Sequence, residues 1–316
     1  MKLAVTIDVE EEGLFRGTYD SRNTSVANVS QLRRLTPIFL EWGVHPTLLV
    51  TYPVARCDPA IDLLLELRDT WNCEIGAHLH PWNTPPLERL NYDEPVPSEL
   101  MPAELLKAKL ATLLEALAQK GIKPTSFRMG RFNMGPKMFS VLQETGINVD
   151  SSIAPMHRYY GGPDHLCAPT DPYRPDPLDP RRPGNSKILE VPLTTVPLTR
   201  GLGRFLEALG GPILPRSWVS WFAMYLGTLS VQPLGTGLRR IKAGVLIHSA
   251  RGGQVLTIFF HSSELMEGGS PENPTPEHIN RFLERLSNFF SWIHKRMTIE
   301  SLTLSQLDNL YRQKEP

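Results

Sequence analysis

Four short segments carry side chains able to do chemistry. In Asp8-Val9-Glu10-Glu11-Glu12, the carboxylates of Asp8 and Glu10 alternate at the end of an apolar run. Strand spacing sends both to one side. Carboxylates that converge repel unless a cation or a proton lies between them, which points to a metal or a raised pKa. The plainer alternative is a solvated acidic loop. In Glu74-Ile75-Gly76-Ala77-His78-Leu79-His80-Pro81-Trp82, His78 and His80 repeat the alternation. Two neutral imidazoles and a carboxylate form a three-ligand set for zinc or a similar divalent ion, with a position open for water. A lone histidine would more simply be a satisfied core or surface group. In Ser126-Phe127-Arg128-Met129-Gly130-Arg131, a strand-borne Arg128 needs a carboxylate partner if it is buried, and Asp8 is a candidate. An ordinary ion pair would meet the same need. His261 follows the strand-like run 256–260, where a general acid would sit.

These segments need elements to bring them together. Apolar runs at 2–7, 46–52, 73–77, 125–129, 147–150, 187–191 and 255–260 read as strands. Helical periodicity marks 28–42, 59–70, 101–120 and 136–144. A long helix opens at Thr275-Pro276 and buries Ile279, Phe282, Leu283, Leu286, Phe289, Phe290 and Ile293. Strands alternating with helices imply parallel βα units, and about seven units over this length imply an α/β barrel that works at the strand C-terminal ends. We expect one domain over 1–316, with a Pro-rich insertion at 153–186 and an apolar insertion at about 201–247. The prolines of the first suggest an ordered wall beside the site. The aromatics of the second, Trp218 and Trp221 among them, suggest helices packed on the barrel or a face for lipid.

Composition narrows the function classes. The 316 residues are 41% hydrophobic and 21% charged, which excludes a wholly disordered chain. Lys+Arg and Asp+Glu are 33 each, which argues against a broad grip on nucleic acid. Cys57, Cys73 and Cys167 are odd in number without CxxC spacing, which fits a reducing compartment. The N-terminus turns acidic too early for a signal peptide, and no uncharged apolar run spans a bilayer. The expected location is therefore cytoplasmic, with a peripheral membrane contact or a lipid-linked substrate as an extension.

The ordered set resembles the NodB-homology polysaccharide deacetylase family. The resemblance covers residues 2–264 and rests on Asp8-Val9-Glu10, Gly76-Ala77-His78, Phe127-Arg128, Gly146-Ile147-Asn148-Val149-Asp150-Ser151-Ser152, Glu190-Val191-Pro192 and His261. It implies a distorted (β/α)7-type barrel that removes acyl groups from N-acetylated sugars with a divalent metal, most simply zinc. By its pattern Asp8 is the base, Arg128 positions it, His261 is the general acid, and Asp150 is offered as the group orienting His261. The family commonly spaces its metal histidines four apart, but that position is Trp82, so Glu10, His78 and His80 form the expected ligand set. Trp82, Asn83 and Arg131 are the candidate sugar-binding residues. Two other readings stay open: a metal amidohydrolase acting on a small amide, and a carbohydrate-binding protein without turnover. A glycoside hydrolase fits less well, because the acids cluster on one strand.

Overall fold

The N-terminal apolar run forms β1 (Lys2–Val9), buried from Leu3 onward. The computed structural model describes residues 1–158, 163–210, 213–233 and 235–313. Residues 159–162 of the Pro-rich stretch, and 211, 212 and 234 of the apolar one, lie outside the described residues. After β1 the chain forms α1 (Thr36–Trp42), β2 (Thr47–Val50), α2 (Tyr52–Ala55), α3 (Asp58–Trp71) and β3 (Glu74–Leu79). Next come α4 (Ala103–Ala118), β4 (Ser126–Met129), α5 (Pro136–Gln143), β5 (Val149–Asp150) and β6 (Leu189–Glu190). A small antiparallel pair, β7 (Thr195–Pro197) and β8 (Thr228–Ser230), flanks α6 (Leu202–Leu209) and α7 (Arg216–Tyr225). The chain closes with α8 (Leu238–Ala250), β9 (Val255–His261), α9 (Pro276–Arg296), β10 (Glu300–Ser301) and α10 (Leu304–Arg312).

The main sheet is parallel and runs β9-β1-β2-β3-β4-β5-β6, with β10 sharing the β1 edge ahead of β2. It curls into the half-barrel that the alternating elements imply. Among the described residues no strand pairing joins β6 to β9. Thr194 bridges the gap instead: its N–H donates to Thr257 O at 3.0 Å, and its Oγ1 accepts from Thr257 N–H at 2.8 Å.

Register explains how distant segments meet. Asp8 stands opposite His261 on one side and Leu49 on the other, and Leu49 stands opposite Gly76. Neighbours in register share a face, and alternation carries the Gly76 face to His78, which is opposite Arg128. A side chain at Gly76 would meet Ser126 Oγ at 2.3 Å, so only glycine fits this crowded interior.

The sheet's outer face is covered by helices whose stripes follow the sequence pattern. On α9, Ile279, Phe282, Leu286, Phe289, Phe290 and Ile293 are buried, while Leu283 is half-buried. One expected helix changes form. Residues Ala27–Leu35 are 3-10 helix, and the α-helix starts only at Thr36, because Pro37 lacks the N–H needed to continue an earlier ladder. Thr275 stands at the N-cap of α9, but its hydroxyl bonds Glu277 and His278 side chains rather than a backbone N–H.

The Pro-rich stretch begins at the strand C-terminal ends, where His165 meets Met134 O, and its later part runs away from them. Asp171 accepts from Gln254 and Val255 N–H where β9 begins, and Arg174 pairs with Asp308 on α10 at 2.9 Å. Both anchors lie toward the strand N-terminal ends, so residues 171–174 sit at that end of the sheet. The loop after β3 is instead pinned from α4. Buried Lys109 donates to the carbonyls of Pro81, Thr84 and Pro86 at 2.8, 2.7 and 2.7 Å. Replacing Lys109 with Met should strand these carbonyls and destabilise the protein by about 3 kcal/mol in urea unfolding, whereas a change within about 0.5 kcal/mol would contradict the clamp.

Candidate active site

The C-terminal ends of β1, β3, β4 and β9 open into a cavity of about 1000 Å³. Its floor is acidic and imidazole-rich. His80 Nε2 lies 2.9 Å from His78 Nε2, and the nearer Glu10 oxygen is 3.4 Å from His80 and 3.5 Å from His78. Asp8 Oδ2 is 3.8 Å from His78 Nε2 and 3.9 Å from His261 Nε2.

The ring orientations are set from behind. A carbonyl can only accept, so His78 Nδ1–H donates to Arg128 O at 3.0 Å. His80 Nδ1–H donates to Glu11 Oε1 at 2.8 Å, and Trp82 Nε1–H reaches the same oxygen at 3.0 Å. Burial raises the Glu11 carboxyl, but His80 and Trp82 outweigh it and hold the pKa below the ordinary value. Both Nδ1 atoms are thus committed, and both Nε2 atoms face each other and Glu10. Two facing lone pairs repel unless a proton or a cation lies between them. Burial alone would lower the His80 pKa, yet Glu11, Glu10 and Asp8 raise it above the ordinary value.

Donor type and position fit a divalent cation. Ligand atoms of Glu10, His78 and His80 all lie within 4.8 Å of one another, and Asp8, Glu10 and His261 form an overlapping group. Two imidazole nitrogens with a carboxylate oxygen, each imidazole backed by a hydrogen-bond acceptor, suit zinc better than calcium or magnesium. Gly130 permits the close packing, since a side chain there would meet His80 Cδ2 and Leu79 O, each at 2.7 Å.

Asp8 is gripped on its far side. Arg128 Nη1 donates to Asp8 Oδ1 at 2.5 Å, while Nη2 reaches Thr6 and Ser151 hydroxyls and Nε reaches Ser151 O. The guanidinium lies 5.3 Å from the Phe132 ring centre and 5.6 Å from that of Phe259. Burial pushes the Asp8 carboxyl up, but Arg128, His78 and His261 outweigh it and hold it below the usual range. His261 is held by Glu264, whose Oε1 accepts from Nδ1 at 2.6 Å. Burial lowers the His261 pKa, but Glu10, Glu264 and Asp8 more than reverse this and carry it to about 10.

Several expectations change here. Asp150 does not orient His261. It accepts from Ser152 Oγ and sits in register with Glu190, in a pocket where burial lifts Asp150 to about 6 and Glu190 well above its ordinary value. Glu264 takes the orienting role because the turn Ser262–Leu265 brings it back one helical step onto the imidazole. Trp82 lines the cavity but is mostly covered, stacked on His80 with ring centres 4.2 Å apart. Arg131 lines the cavity and lies over Tyr19 at 4.6 Å. Asn83 is buried behind the loop and is not among the cavity-lining residues. Among the described residues of 153–186 none lines this cavity, and Phe15 and Tyr19 supply rings on its wall. Glu11, Glu264, Phe15 and Tyr19 were not foreseen. The His-x-x-Glu spacing at 261–264 was the one readable signal for Glu264.

No family model matches the sequence, and no curated protein matches it. Solved structures do match. A protein from Mycobacterium smegmatis assigned as a polysaccharide deacetylase aligns at TM-score 0.58 and 16% identity, covering 99% of this chain and 90% of that one. A protein from Parabacteroides distasonis assigned as a glycoside hydrolase/deacetylase aligns at TM-score 0.66 and 13% identity, covering 99% and 71%. A 4-alpha-glucanotransferase from Thermococcus litoralis aligns at TM-score 0.53 and 15% identity, covering 96% of this chain and 39% of that one. At these identities the likeness establishes a shared fold, the curled parallel α/β half-barrel.

Proposed function

We propose that the protein is a zinc-dependent hydrolase that removes an N-acetyl or related acyl group from a sugar. One observation carries this reading: Glu10, His78 and His80 face one point, with the Arg128-bound Asp8 and the Glu264-bound His261 placed around it. A divalent ion held by these three residues supplies Lewis acidity to an amide carbonyl and to the attacking water.

The chain's own residues do the proton work. Asp8, kept ionised by Arg128, takes the proton of the attacking water through Oδ2. His261 Nε2 delivers a proton to the leaving amine, and Glu264 stabilises the imidazolium through Nδ1. Arg128 acts twice, since its guanidinium holds the base and its carbonyl fixes the His78 tautomer. Phe15, Tyr19, Trp82 and Arg131 line the space where a pyranose would lie, offering apolar faces and a cation at the rim. Asp8 and Glu10 leave one strand end toward the same point, an arrangement that suits hydrolysis at one centre better than the opposed carboxyls of glycoside cleavage. Cys57, Cys73 and Cys167 are free thiols, which supports a cytoplasmic site of action on a nucleotide- or lipid-linked saccharide rather than a finished wall polymer.

Three outcomes follow. Replacing His78 or His80 with Ala should abolish both stoichiometric zinc in metal analysis and acetate release from a panel of N-acetylated sugars; retained zinc with full activity would refute the assignment. Asp8→Asn should keep the zinc and lose about 10²–10⁴-fold in kcat/KM. A smaller loss would remove Asp8 from the role of base. For pH, the general acid must be protonated, so activity falls as pH rises through the His261 pKa. Glu264→Gln deletes a carboxylate that raises this pKa, so the alkaline limb should move to lower pH; a limb that stays in place would separate Glu264 from the proton donor.

A further inference from the structure

The face built by α6 and α7 has no role in the site described above. The two helices bury one side on a small core of Met156, Leu166, Leu206, Val219 and Ala223. The other side turns large apolar groups to solvent: Trp218 is 70% exposed, Ile213 69% and Phe205 61%, with Trp221, Phe222 and Tyr225 continuing the helical stripe. Phe205, Leu209, Leu214, Trp218 and Trp221 line an apolar groove of about 790 Å³. A soluble surface rarely keeps so much aromatic area uncovered without a use for it.

Charge identifies the occupant. The chain is neutral as a whole, yet residues 199–240 hold Arg200, Arg204, Arg216, Arg239 and Arg240 against one acid, Glu207. All five arginines are exposed. An anionic surface with an apolar interior satisfies both features, since the rings enter the headgroup–acyl boundary while guanidinium groups meet phosphates. No helix among the described residues is long and apolar enough to cross a membrane, so the contact is peripheral.

We propose that the α6–α7 face docks the protein onto an anionic lipid bilayer. Placement gives the docking a use. Met224 and Tyr225 of α7 line a second cavity of about 350 Å³, whose wall shares Gln232, Gly235 and Phe259 with the catalytic cavity. The docked face therefore lies beside the mouth of the site. The docking itself is independent of the deacetylase reading. The consequence that the sugar is carried on a lipid phosphate rests on that reading.

The test is co-sedimentation with vesicles of phosphatidylcholine alone and of phosphatidylcholine mixed with phosphatidylglycerol. The protein should sediment with the mixed vesicles, less at high salt, and its tryptophan emission should shift to the blue. The Trp218→Ser/Trp221→Ser variant should bind at least about 10-fold more weakly with unchanged circular dichroism. His78→Ala should dock as the parent does, so that failure of catalysis and failure of docking remain distinguishable. Absence of sedimentation with either vesicle, or equal binding by the tryptophan variant, would overturn the proposal. So would a concentration-dependent dimer that the tryptophan variant abolishes.

Discussion

Two imidazole nitrogens held 2.9 Å apart are the constraint around which this molecule is organised. Each ring has spent its other nitrogen on a fixed acceptor, Arg128 O for His78 and Glu11 for His80. Neither can rotate away without leaving a buried polar group unpaired, at a cost of about 1–3 kcal/mol. Charge at that point is therefore demanded by the protein, and Glu10, Glu11 and Asp8 make it positive charge. A proton satisfies the demand, and a divalent ion satisfies it with all three ligands engaged. Metal uptake should accordingly release a proton.

Arg128 ties the two halves of the site together. Its backbone fixes one imidazole and its guanidinium fixes the carboxylate proposed as base. Two aromatic rings and the Thr6 and Ser151 oxygens hold it in place. Behind it, Asp150 and Glu190 lie in register in a buried pocket, where burial lifts Asp150 to about 6 and Glu190 well above its ordinary value.

Much of the architecture was legible because buried parallel strands are short, apolar and periodic. The alternation of Asp8 with Glu10 and of His78 with His80 survived intact, since both pairs leave regular strands. Legibility failed where the chain leaves regular structure. Strand parity assigns Glu11 to the outside, but β1 ends at Val9 and the chain then turns, so Glu11 comes inward to His80. Glu264 obeys a helical interval on a turn that directly follows a strand, a change of period within four residues. The course of the Pro-rich stretch near 171–174 is set by distant partners, Asp308 and the start of β9, that no local pattern reveals. The short strands β7, β8 and β10 owe their existence to pairing rather than to any run of their own.

The shared fold does not choose the chemistry, since it is also found in a 4-alpha-glucanotransferase. The choice rests on the cation point. The most direct measurement is anomalous diffraction at the zinc edge from crystals grown with zinc. The account predicts one peak bonded to Glu10, His78 and His80 and adjacent to Asp8. An empty position there, or zinc held only by other residues, would contradict it.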